Sequence, residues 1–583
     1  MEDYGRYLLA DSPEHATALG LAPDSANARR LDDRSALSID LRRTAALRGL
    51  ARIEAMDPDE LGESERVRYA ALAGHFQAAR LGAELPGGHF SAYKGFRPYV
   101  LDPFRGAFAA LPRFLEGQHA IEDLADAEDY LARLRLVARA IDEELERARL
   151  DADSGAPPPA SLLERVERTA GPLAALPAAQ TPFVQSLRSR LEAFLGPIDA
   201  PDAPVGAASP QLERGRALLA QAEQITQRSI LPAYQRTAQL AGALLRRAQP
   251  GPPAETLRAW HEAGLTFSAG GAVDAEKAEA QALQQVSRLS AQLDMSLRGL
   301  GLIEGAPSAR LASLAADPRY SAASLTASEM SALLRNHHVR AEKLKTSWFL
   351  SPPTARVDFR VLQSWAPSGR RLAYEPPPSA EASRPGVVLI NPEALARSPR
   401  TEFATLAFHE TWPGHHAQAA VALQAAPSLT LQILHFPAYS EGWATYAEQL
   451  ADEFGLYESD PVGRIGYLRW QLIRAARLVV DAGLHRRGWT RDQAIAYLEN
   501  ICALERDTAA YEVDRMLAAP GLASSYELGR SRIAAARDRA QIALGPAFDI
   551  RRFHQIILAD GELPLHVLDQ LVDAWITREA QRS

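Results

Sequence analysis

His409-Glu410-Thr411-Trp412-Pro413-Gly414-His415-His416 is the stretch from which the fold and chemistry of this chain are most directly read. It places a carboxylate next to one imidazole, and two further imidazoles follow a few residues later. Imidazole and carboxylate are the side chains that bind a divalent, zinc-type ion at neutral pH. The stretch therefore predicts a metal site, provided that its backbone can bring the side chains together.

The spacing of these histidines does not suit a metal site on a straight α-helix. Histidines four residues apart share one helix face, as in the His-Glu-x-x-His motif of helical zinc peptidases. His409 and His416 would lie about 10 Å apart along a straight axis. From that separation two imidazoles cannot share an ion bound at about 2 Å. His415 would lie roughly 9 Å along the axis and about 120° around it.

Pro413 and Gly414 supply the break that such a site requires. Pro413 has no N–H to donate to the carbonyl of His409 and clashes with it, which kinks the helix. Gly414 permits backbone angles that other residues avoid. Local unwinding can therefore return His415 to the side of His409, so that Pro-Gly acts as a two-residue insertion in His-Glu-x-x-His. His416 stays open as an alternative ligand.

A carboxylate on a later helix is expected to complete the ligand set. Ser440 can cap a helix, which would place Glu441 in the first turn and makes Glu441 the candidate third ligand. Glu448 lies on the same face about two turns further on, which suits a residue that supports the ligands from behind. The alternative is that both glutamates are structural or solvated.

The composition limits the class of protein. A chain of 583 residues, 47% hydrophobic and 23% charged, is globular and longer than one core normally supports. The net charge of −8 and the lack of a basic stripe with interleaved aromatics argue against a nucleic-acid partner. The single cysteine, Cys502, cannot form a thiolate cluster, so His, Asp or Glu must hold any metal.

The sequence also bears on location. It holds no run of about eighteen apolar residues, so no membrane-spanning helix and no membrane partner are expected. Residues 1–7 lack the basic start and the apolar middle of a signal peptide. We therefore expect a cytoplasmic protein for the sequence as it stands, and a periplasmic one if an export signal has been removed. The oligomeric state is left open.

Helical periodicity dominates the chain and predicts a mainly α fold of many helices. Residues 357–363 and 386–391 alternate or run apolar like short strands. They predict a small antiparallel β-sheet just before the helix that carries His409. The edge strand of such a sheet can hold an extended substrate by main-chain pairing.

Turn-forming and proline-rich segments divide the chain. Residues 249–253 predict a soft boundary between an N-terminal helical domain, residues 1–253, and a C-terminal helical catalytic domain, residues 254–583. The catalytic domain carries the metal site and the sheet, and the two domains are expected to pack around one cleft. Residues 200–206 have the composition of a linker.

Four polar side chains recur at intervals of three and four residues on a later helix: Arg474, Arg477, Asp481 and His485. Apolar neighbours make this stripe half-buried, and buried charges need partners. We expect Arg474 or Arg477 to pair with a ligand carboxylate or a substrate carboxylate, and Asp481 to orient a histidine. A structural salt-bridge ladder is an equally good interpretation.

Three further side chains are candidates to contact the substrate: Tyr511, Arg515 and Tyr526. A tyrosine O–H or an arginine opposite the metal can stabilise an oxyanion. We expect Tyr526 and Arg477 to take this catalytic role, with Glu448, Asp481 and His485 behind the ligands.

Several motifs in a fixed order resemble the large bacterial family of unknown-function proteins labelled DUF885. They are His-Glu-x-x-Pro-Gly-His, Glu-Gly-Trp-Ala-x-Tyr-x-Glu at 441–448, Arg-Leu-Val-Val-Asp-x-Gly-Leu-His at 477–485, Gly-Trp-Thr at 488–490 and Glu-Val-Asp-Arg at 512–515. The resemblance is strongest over residues 386–530. The family is usually grouped with zincin-like metallopeptidases, which implies that fold, and its pattern ends at the first histidine after Pro-Gly, which favours His415 over His416. The family commonly has Tyr and Trp before Pro-Gly-Gln where this chain has alanines before Pro520, so the substrate wall is expected to differ there.

The expected function is hydrolysis of a peptide or amide bond with one zinc, or another divalent ion, per chain on His409, His415 and Glu441. Glu410 is the expected general base for a water whose pKa the ion lowers to about 7. The expected partner is a small peptide or amide substrate. Two alternatives remain: the same site acting on a non-peptide amide or a C–N bond in a biosynthetic route, and a non-enzymatic helical binding protein.

Overall fold

The fold is described from a computed structural model. The description covers residues 2–21, 25–91, 93–198, 209–247, 251–362, 372–375, 385–425 and 427–581. The linker predicted at residues 200–206 lies outside these ranges, as do residues 249 and 250 of the predicted domain boundary.

The first half of the chain is built from helices connected by short turns. In chain order these are α1 Glu2–Asp11, α2 Pro13–Ala18, α3 Ser25–Ala28, α4 Ala36–Glu54, α5 Glu63–Glu84, α6 Ala107–Gly117, α7 Leu124–Asp153, α8 Ala160–Ala174, α9 Pro182–Leu195, α10 Pro210–Ile225 and α11 Leu231–Leu245. A π-helical turn, Thr226–Ile230, joins the last two. Asp123 caps α7 and Ser209 caps α10, because each side-chain oxygen accepts a backbone N–H of the first turn.

The second half continues in the same way on both sides of a small sheet. Its helices are α12 Ala254–Ala269, α13 Ala275–Gly299, α14 Pro307–Ala316, α15 Ala327–Glu342, α16 Lys345–Trp348, α17 Pro392–Ala396, α18 Phe403–Glu410, α19 His415–Ala425, α20 Leu429–Ile433, α21 Pro437–Glu453, α22 Pro461–Arg486, α23 Arg491–Cys502, α24 Arg506–Ala518, α25 Ser525–Leu544, α26 Ile550–Leu558 and α27 Leu565–Ala580. The predicted mainly α class is confirmed.

The strands form two small sheets within the described residues. Strands β1 His89–Ser91 and β2 Gly95–Arg97 pair as an antiparallel hairpin. Strands β3 Val357–Val361, β4 Leu372–Glu375 and β5 Gly386–Ile390 form a second sheet in the order β3-β5-β4.

The second sheet corrects the predicted antiparallel pairing. Strand β5 pairs antiparallel with β4 but parallel with β3, so the sheet is mixed. The two predicted strands are therefore parallel neighbours, and the chain crosses to β4 at the far edge before it returns to the centre. Alternation of side chains has the same period in both kinds of pairing, so the sequence pattern could not distinguish them.

Two large apolar clusters make up most of the core. One lies among α6–α11 and includes Leu134, Val166 and Leu187. The larger one joins the helices that follow residue 269 to the first helices of the chain, with Leu72 and Phe76 among its members. Packing therefore crosses residue 253, and the division into domains at that point stays a prediction.

One feature of the helices bears on membrane association. Among the described residues, no helix combines the length and the apolar character that a membrane crossing requires.

Candidate metal centre and its cavity

Helix α18 ends at Glu410 and α19 begins at His415, so the helix breaks where Pro413-Gly414 predicts it. The Trp412–Pro413 peptide bond is cis. Gly414 donates its N–H to the carbonyl of Phe408 at 3.1 Å, which folds the break back onto the end of α18. A Cβ on Gly414 would lie 1.9 Å from the carbonyl oxygen of His409. Only glycine allows this approach.

This turn brings His409 and His415 together with Glu441 of α21. One ligand atom from each of the three side chains lies within 4.8 Å of the others. Glu441 Oε2 is 3.4 Å from Nε2 of His409 and 3.5 Å from Nε2 of His415. Two atoms bound at about 2.1 Å to one tetrahedral zinc are about 3.4 Å apart. The distances from the carboxylate oxygen to the two imidazole nitrogens therefore fit a zinc ion.

The Oε2 atom of Glu441 lies between the two imidazoles. This atom is buried, and no described residue makes a hydrogen bond of good geometry to it. Burial alone would raise the pKa of Glu441, but the two imidazoles hold that pKa well below its usual range. Glu441 is thus an anion between two nitrogens, and a cation would satisfy all three groups.

The helix that carries Glu441 starts earlier than predicted. Pro437, not the residue after Ser440, is the first residue of α21, so Ser440 lies inside the helix. Proline suits this first position because its missing N–H has no partner there and its φ is already helical. Glu441 accordingly lies in the second turn rather than the first.

Glu448 supports His409 from the side away from Glu441. Its Oε1 lies 2.8 Å from Nδ1 of His409 and its Oε2 accepts from the amide of Gln471 at 2.8 Å. Arg474 donates to Oε1 at 2.9 Å. Glu448 is fully buried, and this network satisfies both of its oxygens. A carboxylate on the outer nitrogen of a ligand histidine fixes the tautomer and the ring.

The pKa of His409 reflects the two carboxylates beside its ring. Burial and the neighbouring guanidinium oppose a positive charge on this ring. The carboxylates of Glu441 and Glu448 outweigh both and raise the pKa of His409 to about 9. A site that favours a proton between these carboxylates also favours a metal cation in its place.

His416, the alternative ligand, points elsewhere. Its Nε2 lies 3.0 Å from the carbonyl oxygen of Ala355, and its ring packs edge-on against Trp412. Burial lowers the pKa of His416 to about 4. The structure therefore places His415, not His416, beside His409.

The three side chains open onto a cavity of about 1450 Å³. Glu410 lines it next to His409, and residues from both sides of residue 253 form its walls. The N-terminal half contributes His15, Tyr93 and Arg190, among others. This volume exceeds the roughly 300–1,000 Å³ of typical small-molecule pockets, so the cavity has room for a small molecule or a short peptide.

Tyr526, Arg477, Arg515 and Glu512 line the cavity beside the three candidate metal ligands. Tyr526 stacks near His409, with ring centroids 6.4 Å apart. The Arg477 guanidinium lies 5.2 Å from the centre of the Tyr526 ring and forms an ion pair with Glu512, with 3.0 Å between Nη2 and Oε1. Arg515 also pairs with Glu512, at 3.3 Å. Arg477 thus pairs with a carboxylate outside the donor set, whereas Arg474 pairs with Glu448.

Asp481 and His485 do not join this site, which corrects their predicted role. They lie about 10–16 Å further along α22 than Arg474, at 1.5 Å per residue. His485 Nδ1 is 3.0 Å from Asp481 Oδ1, and His261 of α12 lies within reach of the same carboxylate. Gly521 N–H and Ser524 O–H also donate to Asp481. Asp481 does orient histidines, but in a separate buried cluster.

The sequence analysis did not predict three residues that make these contacts, two at the metal centre and one in the separate cluster. Gln471 lies one turn before Arg474 on the same helix, a spacing that could have suggested it. Glu512 is the first residue of the Glu-Val-Asp-Arg motif, and its place in that motif could have suggested it. His261 carries no signal, because no spacing relates it to a cluster more than 200 residues away in the sequence.

The fold and the site together define a class of protein. It is a large, mainly helical protein in which a broken helix and its neighbour bring two histidines and a glutamate together on the wall of a deep cavity. The chain belongs to the bacterial family of proteins of unknown function called DUF885, whose sequence profile matches residues 13–572. The predicted family membership is confirmed.

Solved structures share this fold. A protein from Colwellia psychrerythraea described as a "putative lipoprotein" is 25% identical, with a TM-score of 0.89 over 99% of this chain and 98% of its own. A "putative lipoprotein of unknown function" from Shewanella oneidensis is 16% identical, with a TM-score of 0.67 over 97% of each chain. A search of the curated proteins finds none that matches.

Proposed function

We propose that this protein is a metal-dependent hydrolase, with zinc as the first candidate ion, that cleaves a peptide or another amide bond. The observation that carries the proposal is the convergence of His409, His415 and Glu441 on one point of a cavity wall that Glu410 also lines. Three protein ligands and an open side are typical of catalytic zinc sites, whereas structural sites are closed by four. The zincin-like classification is part of the same proposal.

Zinc bound by these residues would supply a Lewis acid that lowers the pKa of water to about 7. Glu410 is the proposed general base, because it directly follows His409, is buried and lines the same cavity. Its carboxylate accepts the proton of the attacking water and passes it to the leaving nitrogen.

Tyr526 is the proposed hydrogen-bond donor to the oxygen that becomes negative. Burial and the nearby carboxylate of Glu441 raise the pKa of Tyr526 above its usual value, so the phenol keeps its proton at neutral pH. The Arg477 guanidinium beside the ring adds positive charge on the same side of the cavity. A preorganised donor of this kind stabilises an oxyanion.

The sheet supports a peptide as the first substrate class. Strand β3 lies at one edge of its sheet, and Asp358, Arg360 and Val361 of this strand line the cavity. An extended peptide can pair with such an edge through its main chain. A non-peptide amide lacks the repeated N–H and C=O groups that this pairing uses.

Metal analysis tests the proposal. We expect about one zinc per chain after incubation with zinc and exhaustive dialysis, and loss of that zinc in His409→Ala. The metal-loaded protein is then screened with short peptides and with N-acylated amino acids. Zinc-free protein, or zinc-loaded protein that cleaves none of these amides, would overturn the proposal. If the protein binds zinc but cleaves no amide, the remaining hypothesis is that the same site acts on a C–N bond of another substrate. If it binds no zinc, the remaining hypothesis is a non-enzymatic binding protein.

The location is proposed with the function. The sequence predicts the cytoplasm as it stands, and the periplasm if an export signal has been removed. We propose the periplasm. The support is that the solved relative from Colwellia psychrerythraea, which is 25% identical, is described as a "putative lipoprotein". Cell fractionation of the native host with an antibody against the protein tests it, and recovery in the cytoplasmic fraction alone would contradict it.

A further inference from the structure

We propose that Arg477 and Arg515 form a binding site for a free carboxylate at the end of the substrate. The substrate class is then a peptide or acylated amino acid with an unblocked carboxyl end close to the scissile amide. This inference rests on the proposed function for the position of the scissile bond, but the carboxylate site itself is argued from its own contacts.

The charges of Arg477, Arg515 and Glu512 do not balance. Arg477 and Arg515 both pair with the single carboxylate of Glu512. Glu448 cannot compensate, because it already pairs with Arg474. The group formed by Arg477, Arg515 and Glu512, which all line the cavity, therefore carries one net positive charge. A surplus cation on a cavity wall favours an anionic ligand group.

Arg477 also has hydrogen-bonding capacity that the protein does not use. The Nε atom of Arg477 is buried and has no hydrogen-bond partner among the described residues. The side chain is 6% exposed, so water reaches little of it. An arginine offers five N–H donors in a planar fork that matches a carboxylate. The ligand carboxylate would accept from the N–H groups of the two guanidinium forks that line the cavity, Arg477 and Arg515.

The distance to the metal centre limits where this carboxylate stands in the substrate. The Arg477 guanidinium carbon lies 5.2 Å from the centre of the Tyr526 ring, which lies 6.4 Å from the centre of the His409 ring. Arg477 is therefore within about 12 Å of His409, and an extended chain spans at most about 3.6 Å per residue. For a substrate bound in an extended conformation, the terminal carboxylate therefore lies within about three residues of the scissile bond.

The geometry explains why both arginines are needed. Glu512 holds Arg477 and Arg515 side by side, but it also screens part of their charge. One arginine alone beside Glu512 would form a neutral pair with no preference for an anion. Removal of either arginine should therefore abolish discrimination, not merely weaken it.

Matched substrates test the inference. The probes are N-acetylated dipeptides and tripeptides, each with a free acid and with a primary amide at the carboxyl end. We expect kcat/KM to favour the acid by about 10- to 100-fold, the range for hydrogen bonds to a charged group. Arg477→Gln and Arg515→Gln should each bring the ratio close to one. Arg397→Gln, an exposed arginine elsewhere on the cavity wall, is the matched control and should keep the ratio.

Binding to an inactive variant separates this inference from the proposed function. In zinc-loaded Glu410→Gln, the acid probe should bind about 10- to 100-fold more tightly than its amide by calorimetry. This holds even if no amide is ever cleaved. Equal affinity for acid and amide, or a preference that survives in both arginine variants, overturns the inference. If Arg477→Gln does not fold, Arg477→Lys keeps the surplus charge without the fork and should show a smaller preference than the wild type, so an undiminished preference would contradict the inference.

Discussion

His409 and Glu448 are joined by a hydrogen bond of 2.8 Å between Nδ1 and Oε1, on the side of the ring opposite Glu441. The bond leaves Nε2 of His409 free to face the Glu441 carboxylate. Glu441 and Glu448 stand two turns apart on α21, so one helix supplies both the ligand candidate and the residue that aims its neighbour.

Glu448→Gln should weaken metal binding without removing it. The amide keeps the shape but loses the charge that Arg474 and His409 both contact. We expect zinc affinity to fall by about 10- to 100-fold, measured by competition with a chromogenic chelator. Glu453→Gln on the same helix, a partly exposed partner of Arg537, should leave the affinity unchanged. Equal affinities in the two variants would show that Glu448 does not support the ligand.

Glu410→Gln should remove activity while the metal stays. The amide cannot accept the proton of the attacking water, so kcat should fall by about two decades or more. Zinc content and thermal stability should match those of the wild type. Activity within a few-fold of wild type would exclude Glu410 as the general base.

His415 and His416 should respond differently to substitution. His415→Ala removes a donor next to Glu441 Oε2 and should abolish stoichiometric zinc binding. His416→Gln removes a ring that contacts the Ala355 carbonyl and should keep about one zinc per chain. Zinc content after dialysis distinguishes the two, and loss of zinc only in the His416 variant would reverse the assignment.

Gly414→Ala should damage the fold at the break. The added Cβ would lie 1.9 Å from the His409 carbonyl oxygen and 2.4 Å from that of Phe408, so the backbone must shift. We expect the free energy of unfolding to fall by about 1–3 kcal/mol or more, with weaker zinc binding.

The matched control for the break is Gly299→Ala. Gly299 ends α13, and a Cβ there meets no atom within 4 Å. The free energy of unfolding of Gly299→Ala, measured in urea, should be unchanged or higher by up to about 1 kcal/mol. Equal effects of the two substitutions would mean that the close approach at Gly414 is unimportant.

Asp481→Asn should destabilise the protein without affecting the metal. Burial alone would raise the pKa of Asp481, but His261 and His485 hold it well below its usual range. The ionised carboxylate therefore stabilises the fold above its unfolded pKa of about 3.9, and this contribution is lost as the pH falls below that value.

The stability difference between wild type and Asp481→Asn should thus be about 3–5 kcal/mol near neutral pH and should shrink below about pH 4. Urea unfolding at several pH values measures it. Asp538→Asn, an exposed position on α25, is the control and should change little. A loss of zinc in Asp481→Asn would indicate that the second histidine cluster also binds metal.

The sequence by itself determined the centre of the site. Pro413 and Gly414 break the helix for reasons of local backbone chemistry, and such effects act wherever the residues occur. The break allows His415 to return to the side of His409, and the family resemblance favoured His415 over His416. Glu441 and Glu448 could be placed on one face of one helix because helical spacing is local.

Only the tertiary structure decided the rest. The sequence placed Arg474, Arg477 and Asp481 on one stripe, but their partners come from α21, α24, α25 and α12, which spacing along one helix cannot reveal. The parallel pairing of β3 with β5 and the contribution of the N-terminal helices to the cavity wall are likewise long-range. Local backbone preference determines where a helix breaks, whereas packing between distant segments determines which charged side chains form ion pairs.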